Sequence, residues 1–513
     1  MQDTTYQVSP HHPKCPCSTW PRGLRYIDSQ PRGWLRARTR RREVHVAEAE
    51  KIERLLANKS VQRVFRAITK KNARGGSWLG DFFKAYSEGT VRWWHPRFAL
   101  PYLLTEYVRK KTGAKPETIR TRVLGNPATR KGLVGTIRSV GHLGLGQPQR
   151  FLAPLMVVWN FTQACNLQCK HCYQNAGRRA EDELSLDEQK RIVDLLDERD
   201  VPMIAFSGGE PLMSPTFLTI ARYAADKGMH ITVATNGTLC TPEKVRALVD
   251  AGIKYAEISL DSTDPARHDA WRGAKGYWDG AVRGIRNVVA TPGIKCGVAM
   301  TVTKWNLAEM EQVLEWAIAE GVATFYAFNF IPTGRARGIV DQDLSPAERE
   351  QMLAILQKYL VGGRISIMSS APQYGRACIE LGDPMGPVNT GHYGYGGGKM
   401  TRIFAKYVGG CGAGRAYCAI QPNGDVTPCV FLPIRLGNLR TDAFEAIWNR
   451  PEMECLRDRS DREGHCLTCD YKLNCGGCRA RSWGYFGDLR RPDPGCKFNQ
   501  AAWDEVVRGT DGT

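Results

Sequence analysis

Six apolar, strand-like runs alternate with amphipathic stretches through the middle of this 513-residue chain. The runs lie at 155–159, 202–206, 231–235, 254–260, 296–302 and 324–331, and helical patterns such as Leu186–Leu196, Pro215–Asp226, Pro242–Ala251 and Asn306–Ala319 separate them. Neighbouring parallel strands need a crossover connection, usually a helix. The alternation therefore predicts an α/β fold, a parallel sheet curling into a partial (β/α)6 barrel of the TIM type. Functional loops of such a barrel gather at the C-terminal ends of its strands. The chain's short motifs fall at or just beyond those ends: CNLQCKHC, FSGGEPLM at 206–213, ATNGTL at 234–239 and EISLDS at 257–262.

Cys165, Cys169 and Cys172 share the first of these loops. A [4Fe–4S] cubane normally takes four thiolates, and a ferredoxin run supplies them within about a dozen residues. Here the next cysteine is Cys240. Three thiolates on four irons leave one iron open to a ligand that is not protein. Zinc is the alternative, although structural zinc sites favour C-x2-C pairs with a second pair downstream.

With GGEP some 35 residues beyond the three-cysteine loop, the chain resembles the radical S-adenosylmethionine (SAM) superfamily. The resemblance implies that Cys165, Cys169 and Cys172 hold the cluster and that SAM chelates the open iron through its amino and carboxylate groups. It places Gly208, Gly209, Glu210 and Pro211 along the methionine end of SAM, and makes Ser259, Asp261 and Asn236 candidates for its ribose. Glycines allow close backbone approach, and a carboxylate can accept bonds from an ammonium. The expected chemistry is reductive cleavage of SAM to a 5′-deoxyadenosyl radical, which takes hydrogen from an organic substrate. An iron–sulfur electron carrier or scaffold is the non-enzymatic alternative, and an intact SAM motif argues against it.

Eight further cysteines close the chain: Cys411, Cys418, Cys429, Cys466, Cys469, Cys475, Cys478 and Cys496. They resemble the SPASM domain, the twin-cluster extension of many radical SAM enzymes. The resemblance assigns Cys411, Cys418, Cys429 and Cys478 to auxiliary cluster I and Cys466, Cys469, Cys475 and Cys496 to auxiliary cluster II, for three [4Fe–4S] clusters in all. A pair of zinc ribbons is the alternative. Cys15, Cys17, Cys240, Cys296, Cys378 and Cys455 read as ordinary thiols. Oxygen-sensitive clusters imply a reducing cytoplasm, and an external reductant such as a ferredoxin or flavodoxin.

Charge divides the chain unevenly. Residues 1–150 hold 30 Lys and Arg against 10 Asp and Glu, a balance of +20, so the whole of the net +19 lies there. Residues 1–45 read as a basic, disordered extension and 46–150 as a basic helical domain. The radical SAM core follows at 151–345, a bridging region at 346–405, the SPASM domain at 406–500 and a tail at 501–513. No run reaches the roughly 18 apolar residues of a membrane span. Trp93, Trp94 and FALPYLL beside RKK instead suit a helix lying on an anionic membrane face; five bases at about 1 kcal/mol each give roughly sub-millimolar binding. A helical cap on the barrel with a solvated basic face is the competing reading. Nucleic acid ranks behind both, because no base-reading motif accompanies the charge.

Substrate is the least constrained feature. Arg335 and Arg337 in NFIPTGRARG could grip carboxylate or phosphate bidentately, and His392, Tyr393 and Tyr395 sit among glycines in a candidate lid. The segment LRDRSDREGHCLTCDYKLNCGGCRARSWGYFGD is similar to the radical SAM proteins of alternative haem and haem d1 biosynthesis. That implies hydrogen abstraction from a tetrapyrrole propionate, followed by decarboxylation or side-chain loss. A peptide maturase and a lipid-modifying enzyme at the membrane are the alternatives.

Overall fold

The computed structural model describes residues 53–91 except Arg74, 96–383 except Gly113, 386–389, 395–396 and 405–510. The basic extension 1–45, Trp93 and Trp94, and the candidate lid residues His392 and Tyr393 lie outside the described residues.

The six predicted strands are present: Met156–Asn160 (β1), Met203–Ser207 (β2), His230–Thr235 (β3), Ile253–Ser259 (β4), Lys295–Val302 (β5) and Thr324–Asn329 (β6). They pair in sequence order, all parallel. Val157, Ile204, Ile231, Val233, Ile258 and Val298 are fully buried in one continuous core with the flanking helices. Helix starts are set by local chemistry. Ser185 and Glu188 form a reciprocal capping box ahead of Leu186–Glu198, and Ser345 and Glu348 form another ahead of Pro346–Gly362.

The sheet runs further than the six runs foretold. Ser366–Ser369 (β7) joins β6 in parallel within the bridging region. Val388–Asn389 (β8) and Tyr395–Gly396 (β9) form a separate two-stranded ribbon. On the opposite edge Tyr417–Ile420 (β10) pairs parallel to β1. Asp425–Thr427 (β11) and Gly437–Asn438 (β12) then follow antiparallel. The order is β12-β11-β10-β1-β2-β3-β4-β5-β6-β7, a curled sheet with two free edges and hence a partial barrel. Because β10 hydrogen-bonds to β1, the C-terminal cysteines are built onto the barrel's first strand.

The helices Lys59–Thr69, Trp78–Glu88, Pro96–Thr112 and Pro127–Leu143 enclose a core of their own around Phe65, Ile68, Phe82, Phe83 and Val134. Three cations join them to the barrel. Lys71 donates to the Glu198 carbonyl (2.6 Å) and to Asp200 (3.1 Å), Arg138 pairs with Asp200, and Lys131 pairs with Asp197. Part of the basic charge is therefore spent on docking. Leu100, Leu103 and Tyr107 on Pro96–Thr112 are exposed, and no helix among the described residues is long and apolar enough to cross a membrane.

Candidate active site

A cavity of about 580 Å³ fills the barrel interior, within the size range of small-molecule sites. Cys165, Cys169 and Cys172 line it together with Gly208, Gly209, Asn236 and Ser259. The chain thus brings together at one place residues drawn from the loops after β1, β2 and β3 and from the end of β4.

Glycine is required after β2. Gly208 sits at φ +126°, and a Cβ there would stand 2.7 Å from the Thr162 carbonyl oxygen; one on Gly209 would overlap the Ala164 carbonyl. Both backbone N–H groups at this turn are committed, Gly209 to Thr162 and Glu210 to Ala164 (each 2.7 Å). The turn is therefore pinned to the chain leading into the cysteine loop.

Glu210, Pro211 and Asp261 do not line the cavity. Glu210 is fully buried and accepts bonds from the Thr235 hydroxyl (2.8 Å) and the N–H groups of Asn236 (2.8 Å) and Leu212 (3.2 Å). It ties the β2 turn to the end of β3. Burial pushes its carboxyl up to about 7 against the pull of those bonds. Asp261, expected near the ribose, points instead beneath the cysteine loop. It pairs with Arg272 (2.6 Å), accepts from the Thr301 N–H (3.0 Å) and lies 3.9 Å from His171. Burial raises its carboxyl, but Arg272 and the two nearby histidines outweigh that and hold it low.

Arg272 is the largest omission of the sequence reading. Its buried guanidinium bridges Asp261 and the Cys169 sulfur, to which it donates at 3.5 Å. Arg335 lines the cavity as well and donates to the Cys169 and Ala176 carbonyls (2.9 and 2.8 Å), so it braces the cysteine loop; Arg337 is exposed. Deeper in the cavity stand Tyr255, Glu257, Tyr326 and Phe328. Burial raises the Glu257 carboxyl to about 7, so near neutral pH it divides between its protonated and ionised forms.

The C-terminal cysteines fall into two groups. Cys411, Cys429 and Cys478 line a small cavity of about 30 Å³ beside the end of β6. Cys466, Cys469, Cys475 and Cys496 lie beyond it, the Cys466 sulfur accepting from Asn499 (3.4 Å). Cys418 is not among the lining residues. Side chains alternate along a strand. In β10 it is Tyr417 that reaches the cavity, its hydroxyl 2.6 Å from the Cys429 sulfur, while Cys418 turns to the other face.

Guanidinium groups surround these thiols. Arg459, Arg462, Arg479 and Arg481 are buried at 0–5 % exposure. Burial, with Arg415 nearby, lowers Arg459 to about 9; burial, with Arg479, lowers Arg462 to about 10. The Nε of Arg462 has no partner. Buried cations call for buried anions. Thiolate-ligated iron–sulfur clusters carry net negative charge, so the donor set and its electrostatics fit them. Among the described residues no three His, Cys, Asp or Glu side chains stand close enough to hold a single metal ion.

The sequence model of the radical SAM superfamily matches residues 159–317, and that of SPASM, an iron–sulfur cluster-binding domain, matches residues 411–470. An AdoMet-dependent heme synthase of Nitratidesulfovibrio vulgaris is 33% identical over 67% of this chain and 92% of its own length. The chain belongs to the radical SAM superfamily. Its C-terminal extension makes it a radical SAM/SPASM enzyme, with SAM and iron–sulfur clusters as cofactors. A heme synthase of Methanosarcina barkeri is 34% identical over 67% of this chain and 97% of its own length. A mycofactocin maturase of Mycobacterium tuberculosis is 29% identical over 67% and 83%. SuiB of Streptococcus suis, solved with its precursor peptide SuiA, shares the fold at a TM-score of 0.57 and 17% identity, covering 81% of this chain and 92% of that one.

Proposed function

We propose that this radical SAM/SPASM enzyme removes or alters a carboxylate side chain of a tetrapyrrole. The observation that carries this reading is the similarity to heme synthases, which extends over 92–97% of their length. Cys165, Cys169 and Cys172 are taken to hold the SAM-binding cluster, with Gly208, Gly209, Asn236 and Ser259 lining the SAM site. Glu210, Pro211 and Asp261 act as positioning residues behind it. Cys411, Cys429 and Cys478 are assigned to auxiliary cluster I, and Cys466, Cys469, Cys475 and Cys496 to auxiliary cluster II.

When bound, the first cluster and SAM supply a 5′-deoxyadenosyl radical able to take hydrogen from an unactivated carbon. The polypeptide contributes containment and placement. Trp159, Phe161 and Phe206 pack without exposure beneath the loop, and Tyr326, Phe328 and Phe431 give the cavity apolar walls that keep water from a reactive species. Glu257, whose raised carboxyl populates the protonated form near neutral pH, can in that form donate to an entering carboxylate.

Anaerobic reconstitution with SAM and dithionite tests the reading. The expected result is 5′-deoxyadenosine formation stimulated by a propionate-bearing iron tetrapyrrole, with loss of carbon dioxide from that substrate. Stimulation by a precursor peptide instead would favour the maturase reading that the 29% identity to the mycofactocin enzyme supports.

A further inference from the structure

The cavity does not end beneath the cysteine loop. Met156, Met203, His230, Lys295 and Thr324, the first residues of β1, β2, β3, β5 and β6, line it too. In β2, β3 and β6 the strand's last residue also faces it, so the free volume runs the length of the barrel. A closed barrel of this type fills its interior with layers of bulky side chains. Here Ala205, Ala234 and Ala299 are among the residues facing inward, and the bore stays open. From Lys254 to Ser259, at the proposed SAM end, β4 climbs roughly 16 Å at the usual rise per residue. Lys254 and Lys295 line the cavity and are nonetheless exposed, so it has a second mouth at the N-terminal ends of the strands.

That mouth is basic and lacks counter-ions. β4 and β5 pair Tyr255 with Lys295, so Lys254 and Lys295 stand on adjacent strands one residue out of step. His230 begins the strand on the other side of β4. Burial, with Lys254 beside it, lowers its imidazole below the ordinary range, so near neutral pH it offers an N–H rather than a charge. None of the three side chains has a hydrogen bond or ion pair among the described residues. Carboxylates along this rim are engaged elsewhere: Asp197 by Lys131, Asp200 by Lys71 and Arg138, Glu320 by Arg286. Asp250, at the end of the helix before β4, forms no ion pair with either lysine. Glu257 is the one carboxylate among the described lining residues, and its bond is with the Tyr255 hydroxyl (3.3 Å). The Pro127–Leu143 helix borders the mouth on the β2–β3 side, where a Cβ on Gly228 would meet Pro127 at 2.9 Å and one on Gly132 would meet Pro202 at 3.5 Å. It leaves both lysines uncovered. Two ammonium groups and an imidazole N–H at the mouth of a largely apolar bore make a place for an anion.

We propose that Lys254, Lys295 and His230 form an anion-binding subsite at this second mouth, and that it holds a carboxylate of the substrate at the end opposite the carbon attacked by the radical. The substrate class is then an elongated molecule with carboxylates at both ends, one held by the lysines and one placed near the proposed SAM site. An anchor at the far mouth fixes how deep the substrate sits, and so which carbon meets the radical. No bond is made or broken at the subsite. That the carboxylate belongs to the substrate rests on the tetrapyrrole reading above; the subsite itself rests on the lysines and the open bore.

The test uses the cluster-loaded full chain and two probes. A benzene tricarboxylate is titrated by calorimetry, with inorganic phosphate as the comparison anion, and an iron porphyrin bearing four propionates is titrated by its visible absorbance. Lys254→Gln and Lys295→Gln together should weaken binding of tricarboxylate and porphyrin about tenfold. The share of 5′-deoxyadenosine formation that yields decarboxylated product should fall as well, because a substrate at variable depth presents the wrong carbon. Lys254→Arg with Lys295→Arg should keep both affinities, and the porphyrin's tetramethyl ester should bind the wild type and the Gln pair alike. Unchanged affinities in the Gln pair, an equal loss in the Arg pair, or an equal loss for the ester would each overturn the proposal. Phosphate binding the wild type more tightly than the tricarboxylate would make this a phosphate site and overturn it too. A porphyrin that does not bind the wild type, beside tricarboxylate binding that still depends on the lysines, would strike the tetrapyrrole reading and leave the subsite standing.

Discussion

Cys165, Cys169 and Cys172 face about 580 Å³ of free volume, with one buried guanidinium, Arg272, aimed at sulfur and already balanced by Asp261. Cys411, Cys429 and Cys478 face about 30 Å³, and their region holds the buried arginines Arg459, Arg462 and Arg479, which donate to backbone carbonyls, beside Arg481, which pairs with Asp493. The first set is arranged to leave room beside a cluster for a second molecule. The second is arranged to enclose negative charge. One surroundings suits bond chemistry at an open iron; the other suits storage or relay of an electron, since buried cations stabilise the anionic cluster they surround.

Cys169→Ala gives the largest effect expected from this contrast. It should take 5′-deoxyadenosine formation to background and remove the iron of one cubane, while the auxiliary clusters keep their absorbance. Loss of iron from both regions would show that they do not assemble independently. Gly208→Ala comes next. Its Cβ would press on the Thr162 carbonyl at a φ that side chains rarely adopt, so SAM affinity should fall at least tenfold with all three clusters retained, measured by SAM titration of the reconstituted protein.

The enclosed set can be divided by a pair of substitutions. Cys429→Ala should lose one auxiliary cubane. Cys418→Ala, which deletes a sulfur on the other face of β10, should keep full iron content and cost only about 1 kcal/mol of packing. Iron loss in Cys418→Ala would restore it as a fourth ligand and close a cluster that the strand's alternation leaves with three.

These two cysteines also show where a sequence stops being legible. The loop thiols and the glycine turn are local features, and their spacing places them on a barrel loop before any coordinate is known. The side on which Cys418 falls depends on strand parity, and a one-residue slip of register would reverse it; nothing in the cysteine spacing reveals that Tyr417 faces inward. Arg272 was hidden for a different reason. It lies at a helix end, 103 residues from Cys169, and only the folded barrel brings its charge to the sulfur and to Asp261. The strands showed the same division. β1 to β6 announce themselves by apolar runs, whereas β7 is SIMS, four residues with a serine at each end, and β11 and β12 are shorter still. Such strands exist because a neighbour offers them an edge.

Arg459→Met probes the electrostatic side of the comparison. The guanidinium donates to the carbonyls of Lys472 and Leu473 (2.6 Å each), Gly409 (3.0 Å) and Cys411 (3.2 Å). Removing it therefore destabilises the protein whether or not clusters are bound, because buried carbonyls lose their donor. The charge adds a second effect of opposite sign in the two forms. Without clusters, burial and the adjacent Arg415 disfavour the cation, and losing it offsets part of the damage. With clusters, the cation faces an anion, and losing it deepens the damage. The drop in Tm should thus be larger for the cluster-loaded protein than for the cluster-free protein, by about 1 °C for roughly 1 kcal/mol of coupling in a chain of this size. Equal drops in the two forms would mean that Arg459 serves only as a clasp for four carbonyls, and that the cationic surroundings of the C-terminal cysteines do not act on what those cysteines bind.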